Sequence, residues 1–418
     1  MIMIDGVSAD AFATHVNDLP NLHALAARGL QVERLASDVP ATSLPGRVGM
    51  ITGVPPARHG VYGNLILDGD RFRYASPDDV RVRTITGRAL DAGLDVASIG
   101  YAMTRPEEVT TFQRAWWVGE VLQRSRDPVP LTASGGWERV FRHVDDGGRM
   151  PALAADGWPD GLLDPYAGDR LHYFVSELEG DRRNLRWSSA LAVSAERPDL
   201  IVTEILTPDT VQHVTGYGAP FSVWAMAYAD ALVGTLLHEL ERAGRLDETN
   251  LLVASDHGHG PVDRALYGAR ILPNKACSSE GGILFVVADG EEDRREATER
   301  LAVHGAEPLD AHPFPDDVAE RMLAFVAPPG TSFEAAAPEA DPHAVAGPPA
   351  HRSTHGARPG APSDDRFLVA AGPGVPKGRF ERAAADAVEA TLAELIGLPS
   401  GGNGSSVLRP PPSAPSHR

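Results

Sequence analysis

Short apolar runs alternate with amphipathic stretches along most of this chain. The apolar runs predict buried strands at Met1–Ile4, Gln31–Ala36, Leu94–Ile99, Leu200–Ile205, Asn250–Ala254, Ile283–Val287 and Phe367–Ala371. Helical spacing predicts helices at Pro20–Arg28, Thr84–Asp91, Phe221–Ala243 and Ala383–Ile396. Strands separated by helices favour right-handed crossover connections. We therefore predict an α/β sandwich, with a mostly parallel central sheet and helices on both faces.

Two stretches interrupt this alternation and define the predicted domains. Residues from about 105 to 195 hold five of the six tryptophans, and the stretch from about 289 to 350 is charged and then rich in Pro and Ala. We predict a main α/β domain from 1–104 and 196–398, with 105–195 inserted as a cap. Trp116 and Trp117 are expected to fill the core of that cap, although a flat wall for a nucleobase is the alternative. The five Pro, three Gly and five Ser within 399–418 predict a disordered tail.

Composition and charge exclude several classes of protein. The 38 basic and 57 acidic residues give a net charge of −19, which argues against binding to a nucleic-acid duplex or an anionic membrane. A single cysteine excludes a disulfide framework and a cysteine-ligated zinc or iron–sulfur site. No apolar run approaches the roughly 20 residues needed to span a bilayer. The start, MIMIDG, is no secretory signal, which predicts a cytoplasmic protein, whereas a start codon assigned too late would hide a leader for export.

Several Asp and His residues stand where predicted strands end. In an open parallel sheet, ligands bind beyond the carboxyl ends of the strands. The residues that follow strands are Asp5, Asp209, His213, Asp256 and His257, and His355 stands before the strand at Phe367. One such Asp alone is usually a turn former or a helix cap. The run Asp-His-Gly-His-Gly from 256 to 260 has no such structural explanation, and Asp and His are ligands that divalent metals prefer, so the set favours a metal site.

The segment from 39 to 64, VPATSLPGRVGMITGVPPARHGVYGN, places a hydroxyl before a predicted helix. Ser43 stands just ahead of Pro45, and the helix is expected to run through Met50. The amino end of a helix attracts anions such as phosphate, so Ser43 is a candidate nucleophile. The alternative is that Thr42 or Ser43 only caps the helix.

These motifs resemble, in order, the alkaline phosphatase superfamily, and within it the type I phosphodiesterase/nucleotide pyrophosphatase proteins. The motifs are IDG at Asp5, TSLPGRVGMITG at Ser43, PDTVQH at Asp209, SDHG at Asp256 and THG at His355. The resemblance implies an alkaline-phosphatase-like α/β sandwich that holds two divalent metal ions, usually zinc, with manganese as the second choice. It implies one ion on Asp209, His213 and His355. It implies the other on Asp5, Asp256, His257 and the Ser43 hydroxyl.

The implied activity is metal-dependent hydrolysis of a small phosphodiester or nucleotide. Ser43 would attack the phosphorus, and water would hydrolyse the resulting phosphoserine. The chain departs from the family at Gly46, where an Asn is usual, and at Arg47, where a His is frequent. We predict that Arg47 replaces the Asn as the donor to the phosphate, with Asn64 as a second candidate. The competing interpretation is that Arg47 points away and pairs with a surface carboxylate.

The nucleophile segment leaves other members of the superfamily open. Ser-Leu-Pro-Gly-Arg is also similar to the sulfatase signature, so a sulfatase or phosphonate monoester hydrolase is an alternative. Sulfatases typically carry paired Asp and an Asp-Asn pair that bind a single calcium, unlike this chain. A binding protein that has lost catalysis and a phosphomutase are further alternatives. The sequence does not define the oligomeric state.

Overall fold

The computed structural model describes residues 1–117, 144–145, 170–310, 312–336 and 341–409. Its centre is a sheet of nine strands, most of which run parallel. Across the sheet these strands are Gly378–Ala383, Leu30–Leu35, Arg366–Ala371, Leu251–Ser255, Ile2–Ile4, Leu200–Ile205, Val96–Ile99, Thr111–Gln113 and Val144–Asp145. Only Arg366–Ala371 and Val144–Asp145 run against their neighbours. The predicted fold class is confirmed.

The register of the three central strands brings their carboxyl ends to one edge. Ile4 lies opposite Ile205 on one side and Ser255 on the other. The chain therefore leaves all three strands at the same level, and Asp5 and Asp256 follow at once. Because Arg366–Ala371 runs the other way, its amino end lies at this same edge. That direction explains how a residue ahead of that strand joins residues that follow the others.

Helices cover both faces of the sheet, because successive strand residues point to opposite sides. Met3 joins the apolar core on one face, and Ile2 and Ile4 join the core on the other. The helices among the described residues are Ala9–Thr14, Pro20–Arg28, Ser43–Thr52, Pro56–His59, Ile85–Asp91, Arg170–Val193, Thr207–Thr215, Pro220–Arg242, Gly268–Ile271, Glu291–Ala302, Asp316–Ala319 and Ala387–Leu395. Short 3-10 turns occur at Pro77–Asp79, Pro106–Glu108 and Leu246–Glu248.

Smaller sheets stand beside the central one, and the structure corrects two details of the predicted topology. Ile283–Val287 is a strand as predicted, but it pairs antiparallel in a separate sheet with Cys277–Glu280, Met322–Val326 and Glu307–Pro308. The remaining ladders are Arg264–Leu266 with Thr331–Phe333 and Ala346–Gly347, Gly260–Pro261 with Ser353–Thr354, and Leu65–Asp68 with Arg71–Tyr74. The predicted helix from 383 to 396 begins only at Ala387, because Gly378–Ala383 forms an edge strand.

Much of the predicted cap, including Trp137 and Trp158, lies outside the described residues. In the part that is described, Thr111–Gln113 extends the central sheet, and the helix Arg170–Val193 packs on Leu200–Ile205. Trp116 is buried, and its ring lies so close to Gly180 that a Cβ there would stand 2.4 Å from it. Trp116 thus serves packing.

The first residues of the predicted disordered tail are ordered in the structure. Residues 399–409 pack on the helix Ala387–Leu395, with Val407 buried and the Ser400 hydroxyl donating to Glu389 at 2.6 Å. Residues 410–418 lie outside the described part of the chain.

The helix Pro220–Arg242 is, among the described residues, the one helix long and apolar enough to cross a membrane by length and composition. Its buried face packs on Pro20–Arg28 and on Arg170–Val193, as the face of a core helix does.

Candidate metal centre

Three overlapping sets of Asp and His side chains meet at the carboxyl edge of the sheet. Within each set the ligating atoms lie within 4.8 Å of one another. The sets are Asp209 with His213 and His355, Asp5 with Asp256 and His257, and Asp209 with His257 and His259. The structure thus brings together all six Asp and His residues that the sequence predicts, and it adds His259.

Gly6 allows the first strand to meet the helix that carries Asp209. Its φ of +71° lies in the left-handed region, and a Cβ there would stand 2.7 Å from Asp209 Oδ1. The Gly6 amide donates to Asp256 Oδ1 at 3.3 Å, and its carbonyl accepts from the Gln212 side chain at 2.8 Å. The IDG motif therefore ties the three strand ends together, and only glycine fits at its last position.

The helix Thr207–Thr215 places Asp209 and His213 one turn apart on the same face. Asp181 holds the start of this helix, because its carboxylate accepts from the amides of Leu206 and Thr207 and from the Thr207 hydroxyl, at 2.7–3.0 Å. His213 Nδ1 lies 2.9 Å from the Ser353 carbonyl, which leaves Nε2 facing Asp209 Oδ2 at 3.3 Å.

Burial opposes charge on this pair, but the mutual attraction of the two groups is stronger. It holds the pKa of Asp209 well below its usual range and raises the pKa of His213.

His257 stands at the centre of the cluster. Its Nδ1 lies 2.8 Å from the Gly258 carbonyl, so that Nε2 is the atom left for a ligand. That Nε2 lies 3.1 Å from Asp5 Oδ1 and 3.7 Å from Asp256 Oδ2. Burial acts to lower the pKa of His257, but the neighbouring carboxylates, Asp256 first, raise it to about 10. Burial, with the charge of Asp5, raises the pKa of Asp256 to about 7.

Ser43, the predicted nucleophile, lies next to this cluster. It is the first residue of the helix Ser43–Thr52, with Thr42 in extended conformation at the N-cap. The Ser43 Oγ lies 3.1 Å from His257 Nε2. The structure gives a reason for glycine at position 46, where the resemblance leads one to expect Asn. A Cβ there would stand 2.3 Å from the Asp256 carbonyl oxygen. A side chain at position 46 would push the helix Ser43–Thr52 away from the loop that carries Asp256.

Arg47 occupies a different place from the one predicted for it. Its side chain is buried, at 2% exposed, beneath the cluster. The guanidinium pairs with Asp5 and lies 3.2 Å from both Glu204 Oε2 and Asp256 Oδ2. All three of its nitrogens thus face carboxylates inside the protein, and neither a substrate nor a surface partner is required to explain it. The structure therefore accounts for Arg47 as the cation that compensates three buried carboxylates.

Asn64, the second residue predicted as a donor, lies beside the helix start at Ser43. Its Oδ1 accepts from the Leu44 amide, the residue after Ser43, at 2.8 Å. The buried Glu280 accepts from the amides of Asn64 and Leu65, at 3.0 and 2.8 Å, and so fixes the loop. Burial raises the pKa of Glu280 to about 7. Sequence reasoning missed Glu280, because it lies 216 residues from Asn64.

One observation indicates that the residues of this cluster could hold divalent metal ions. Several buried carboxylate and imidazole atoms at the cluster have no well-formed hydrogen bond within the described part of the chain, although some of them lie near a charged neighbour. These atoms are Asp5 Oδ1, Asp209 Oδ1, Asp256 Oδ2, His355 Nδ1 and both ring nitrogens of His259. Buried polar groups are nearly always satisfied, and their lone pairs here converge. Imidazole and carboxylate together suit zinc and manganese.

Comparison with known proteins defines the class. The family model for type I phosphodiesterase / nucleotide pyrophosphatase matches residues 1–346. The chain belongs to this family, and the predicted resemblance is confirmed.

Particular relatives are more distant. The chain is 27% identical over 257 residues to human N-sulphoglucosamine sulphohydrolase, covering 60% of this chain and 48% of that protein. It is 22% identical over 258 residues to the venom phosphodiesterase of Macrovipera lebetinus, covering 62% of this chain and 25% of that protein. The chain thus spans between about a quarter and half of the curated relatives that it matches.

Solved structures match across nearly the whole chain. Human ectonucleotide pyrophosphatase / phosphodiesterase 5 aligns with a TM-score of 0.65 and 15% identity, covering 97% of this chain and 96% of that one. An inactive murine form in complex with AMP aligns with a TM-score of 0.66, the same identity and the same coverage. At this identity the likeness shows the alkaline-phosphatase-like fold.

Proposed function

We propose that this protein is a metal-dependent phosphodiesterase or nucleotide pyrophosphatase that acts through a phosphoserine at Ser43. The observation that carries the proposal is the position of the Ser43 hydroxyl, 3.1 Å from His257 Nε2 and at the amino end of a helix. His257 belongs to one of two neighbouring sets of Asp and His side chains, and both sets include atoms without a hydrogen bond in the described part of the chain. Family membership supports the reaction class, and the AMP complex of a structural neighbour supports a nucleotide as substrate.

Two divalent ions fit these sets, and zinc is our first choice. Asp209, His213 and His355 would hold one ion, and Asp5, Asp256, His257 and Ser43 the other. When bound, such ions lower the pKa of a coordinated hydroxyl and neutralise charge on a transferring phosphoryl group.

Ser43 is the residue of this chain that forms a covalent bond to the substrate. Its Oγ attacks the phosphorus as the bond from phosphorus to the leaving oxygen breaks, which leaves a phosphoserine and a free alcohol or nucleotide. Water then attacks the same phosphorus and returns the serine hydroxyl with release of the phosphate product. The helix start at Ser43 stabilises the added negative charge.

Asn64 is our candidate donor to the phosphate oxygens. Its carbonyl oxygen is taken by the Leu44 amide, so its amide nitrogen is the group left to donate. Glu280 fixes its backbone, which keeps the donor in place before the substrate arrives.

Sulfate or phosphonate ester hydrolysis is the second candidate function. The similarity to a human sulphohydrolase and the Ser-Leu-Pro-Gly-Arg segment favour it. In that case Ser43 would be converted to formylglycine, which mass spectrometry of protein from the native host detects.

The test is a panel of chromogenic phosphate diesters, phosphate monoesters and sulfate esters, assayed after chelation and after addition of zinc or manganese. We expect turnover of the diester that chelation abolishes and metal restores. Ser43→Ala should lose it, whereas the matched variant Thr42→Ala should keep it. Turnover that survives chelation, or hydrolysis of the sulfate ester alone, would contradict the proposal.

A further inference from the structure

His259 is a buried imidazole that the proposed function does not use. It is fully buried, and neither ring nitrogen has a hydrogen-bond partner among the residues the structure describes. Its Nδ1 lies 3.3 Å from Asp209 Oδ1, and its ring centroid lies 4.7 Å from that of His213. Nδ1 therefore has a carboxylate neighbour but no well-formed hydrogen bond, and Nε2 has no hydrogen bond within the described chain. Leaving a polar atom of a buried ring unsatisfied is costly, so the position calls for a ligand.

The backbone on either side of His259 fixes where this residue lies, independently of contacts made by its ring. A Cβ on Gly258 would stand 2.0 Å from the Ser363 carbonyl oxygen, so only glycine permits the turn between His257 and His259. The next residue, Gly260, pairs with Thr354 in a short antiparallel ladder. This ladder brings the His259 segment alongside the segment that carries His355, with ring centroids 6.2 Å apart. The imidazole is therefore held in the cluster by its chain neighbours.

We propose that His259 is a further metal ligand, which binds a divalent ion together with Asp209 and His257. The ligating atoms of these three residues lie within 4.8 Å of one another. Asp209 turns its Oδ2 to His213 and its Oδ1 to His259, so it has an oxygen for each side. The inference rests on the proposed function for the presence of an ion of this class.

His257 belongs both to the set with Asp209 and His259 and to the set with Asp5 and Asp256. His257 has one nitrogen left for a ligand, and the set with Asp5 and Asp256 uses the same atom. The two sets therefore compete for that nitrogen. Asp5 and Asp256 are also paired with the Arg47 guanidinium, whereas the ion pairs of Asp209 among the described residues are with histidines, which can serve as metal ligands when neutral. His259 thus offers the second ion a position on the Asp209 side.

The direct test is a crystal structure of the wild-type protein loaded with zinc, with anomalous differences measured at the zinc edge. We expect a zinc peak about 2.0–2.1 Å from a ring nitrogen of His259, the usual length of such a bond. Zinc peaks at the cluster that all lie more than about 3 Å from that ring would overturn the proposal.

A solution measurement complements the crystal. His259→Gln should weaken zinc binding by tenfold or more in a competition titration, while His351→Gln should bind zinc as the wild type does. His351 is the matched control because it is exposed, although its ring lies 4.9 Å from that of His213. Equal zinc affinity in the wild type and His259→Gln would contradict the proposal. Diester turnover by the wild type tests the proposed function separately, since neither of these readouts depends on it.

Discussion

Replacing Arg47 with methionine tests whether this residue compensates buried charge. The substitution keeps much of the apolar side chain and removes the guanidinium, which pairs with Asp5 and lies 3.2 Å from Glu204 and Asp256. If the guanidinium holds these carboxylates together, the metal-free protein should lose stability. If Arg47 instead contacts the substrate phosphate, stability should change little and the KM for a diester should rise.

The size of the loss of stability depends on the contacts that the three carboxylates keep in the Arg47→Met protein. Glu204 keeps the Ala102 amide and the Trp117 indole, both at 3.0 Å. Asp256 keeps two backbone amides on its Oδ1. Asp5 keeps His257 Nε2 at 3.1 Å on its Oδ1, but its Oδ2 loses the guanidinium, so the substitution breaks one buried ion pair. Breaking one buried ion pair in this way costs about 3–5 kcal/mol, and we expect a loss of free energy of unfolding in that range.

Urea unfolding in chelator and in zinc measures the effect. Because a bound cation compensates Asp5 in part, the loss should be larger in chelator than in zinc. The matched control is Arg73→Met, since Arg73 is also largely buried and paired, with Asp68 and Asp79, away from the cluster. Its loss should be the same in both solutions. An Arg47→Met protein that unfolds at the wild-type urea concentration in chelator would refute the reasoning.

Three further variants test other parts of the account. Glu280→Gln puts an amide against two backbone N–H donors, so kcat on a diester should fall about tenfold in stopped or continuous assays, with zinc affinity unchanged. Asp181→Asn loosens the helix that carries Asp209, and zinc affinity should fall about tenfold by titration. Burial raises the pKa of Asp38 from 3.8 to about 6, so the folded protein holds that proton longer and loses stability as pH rises from about 4 to 6. Asp38→Asn should lessen that loss in urea unfolding followed across this pH range, and an unchanged slope would contradict it.

The sequence predicts that these Asp and His residues cluster, because the ends of strands are visible in it. A short apolar run followed by Asp is a local pattern, and parallel strands bring such ends to one edge. Asp5, Asp209 and Asp256 could be placed together in this way without any coordinates. The same logic covers the central strands and the helix that begins at Ser43.

The local sequence pattern does not predict the structure where contacts with residues distant in the chain determine it. The edge strand Gly378–Ala383 is mostly exposed, so it offers no apolar run. Nothing near Ile283–Val287 tells that it pairs antiparallel in a second sheet. Arg47 looks like an exposed helix residue until residues 42, 157 and 209 positions away in the chain surround it with carboxylates. His259 could have been found, because the spacing His-Gly-His after an apolar strand already marked it as unusual.

Zinc titration of chelator-treated protein, with bound zinc and diester hydrolysis followed in the same samples, tests the central claim most directly. We predict no turnover without metal, and turnover that rises and saturates as bound zinc reaches two ions per chain. Ser43→Ala should bind zinc nearly as the wild type does and remain inactive. Full turnover of the metal-free protein, or wild-type turnover by Ser43→Ala, would contradict the account.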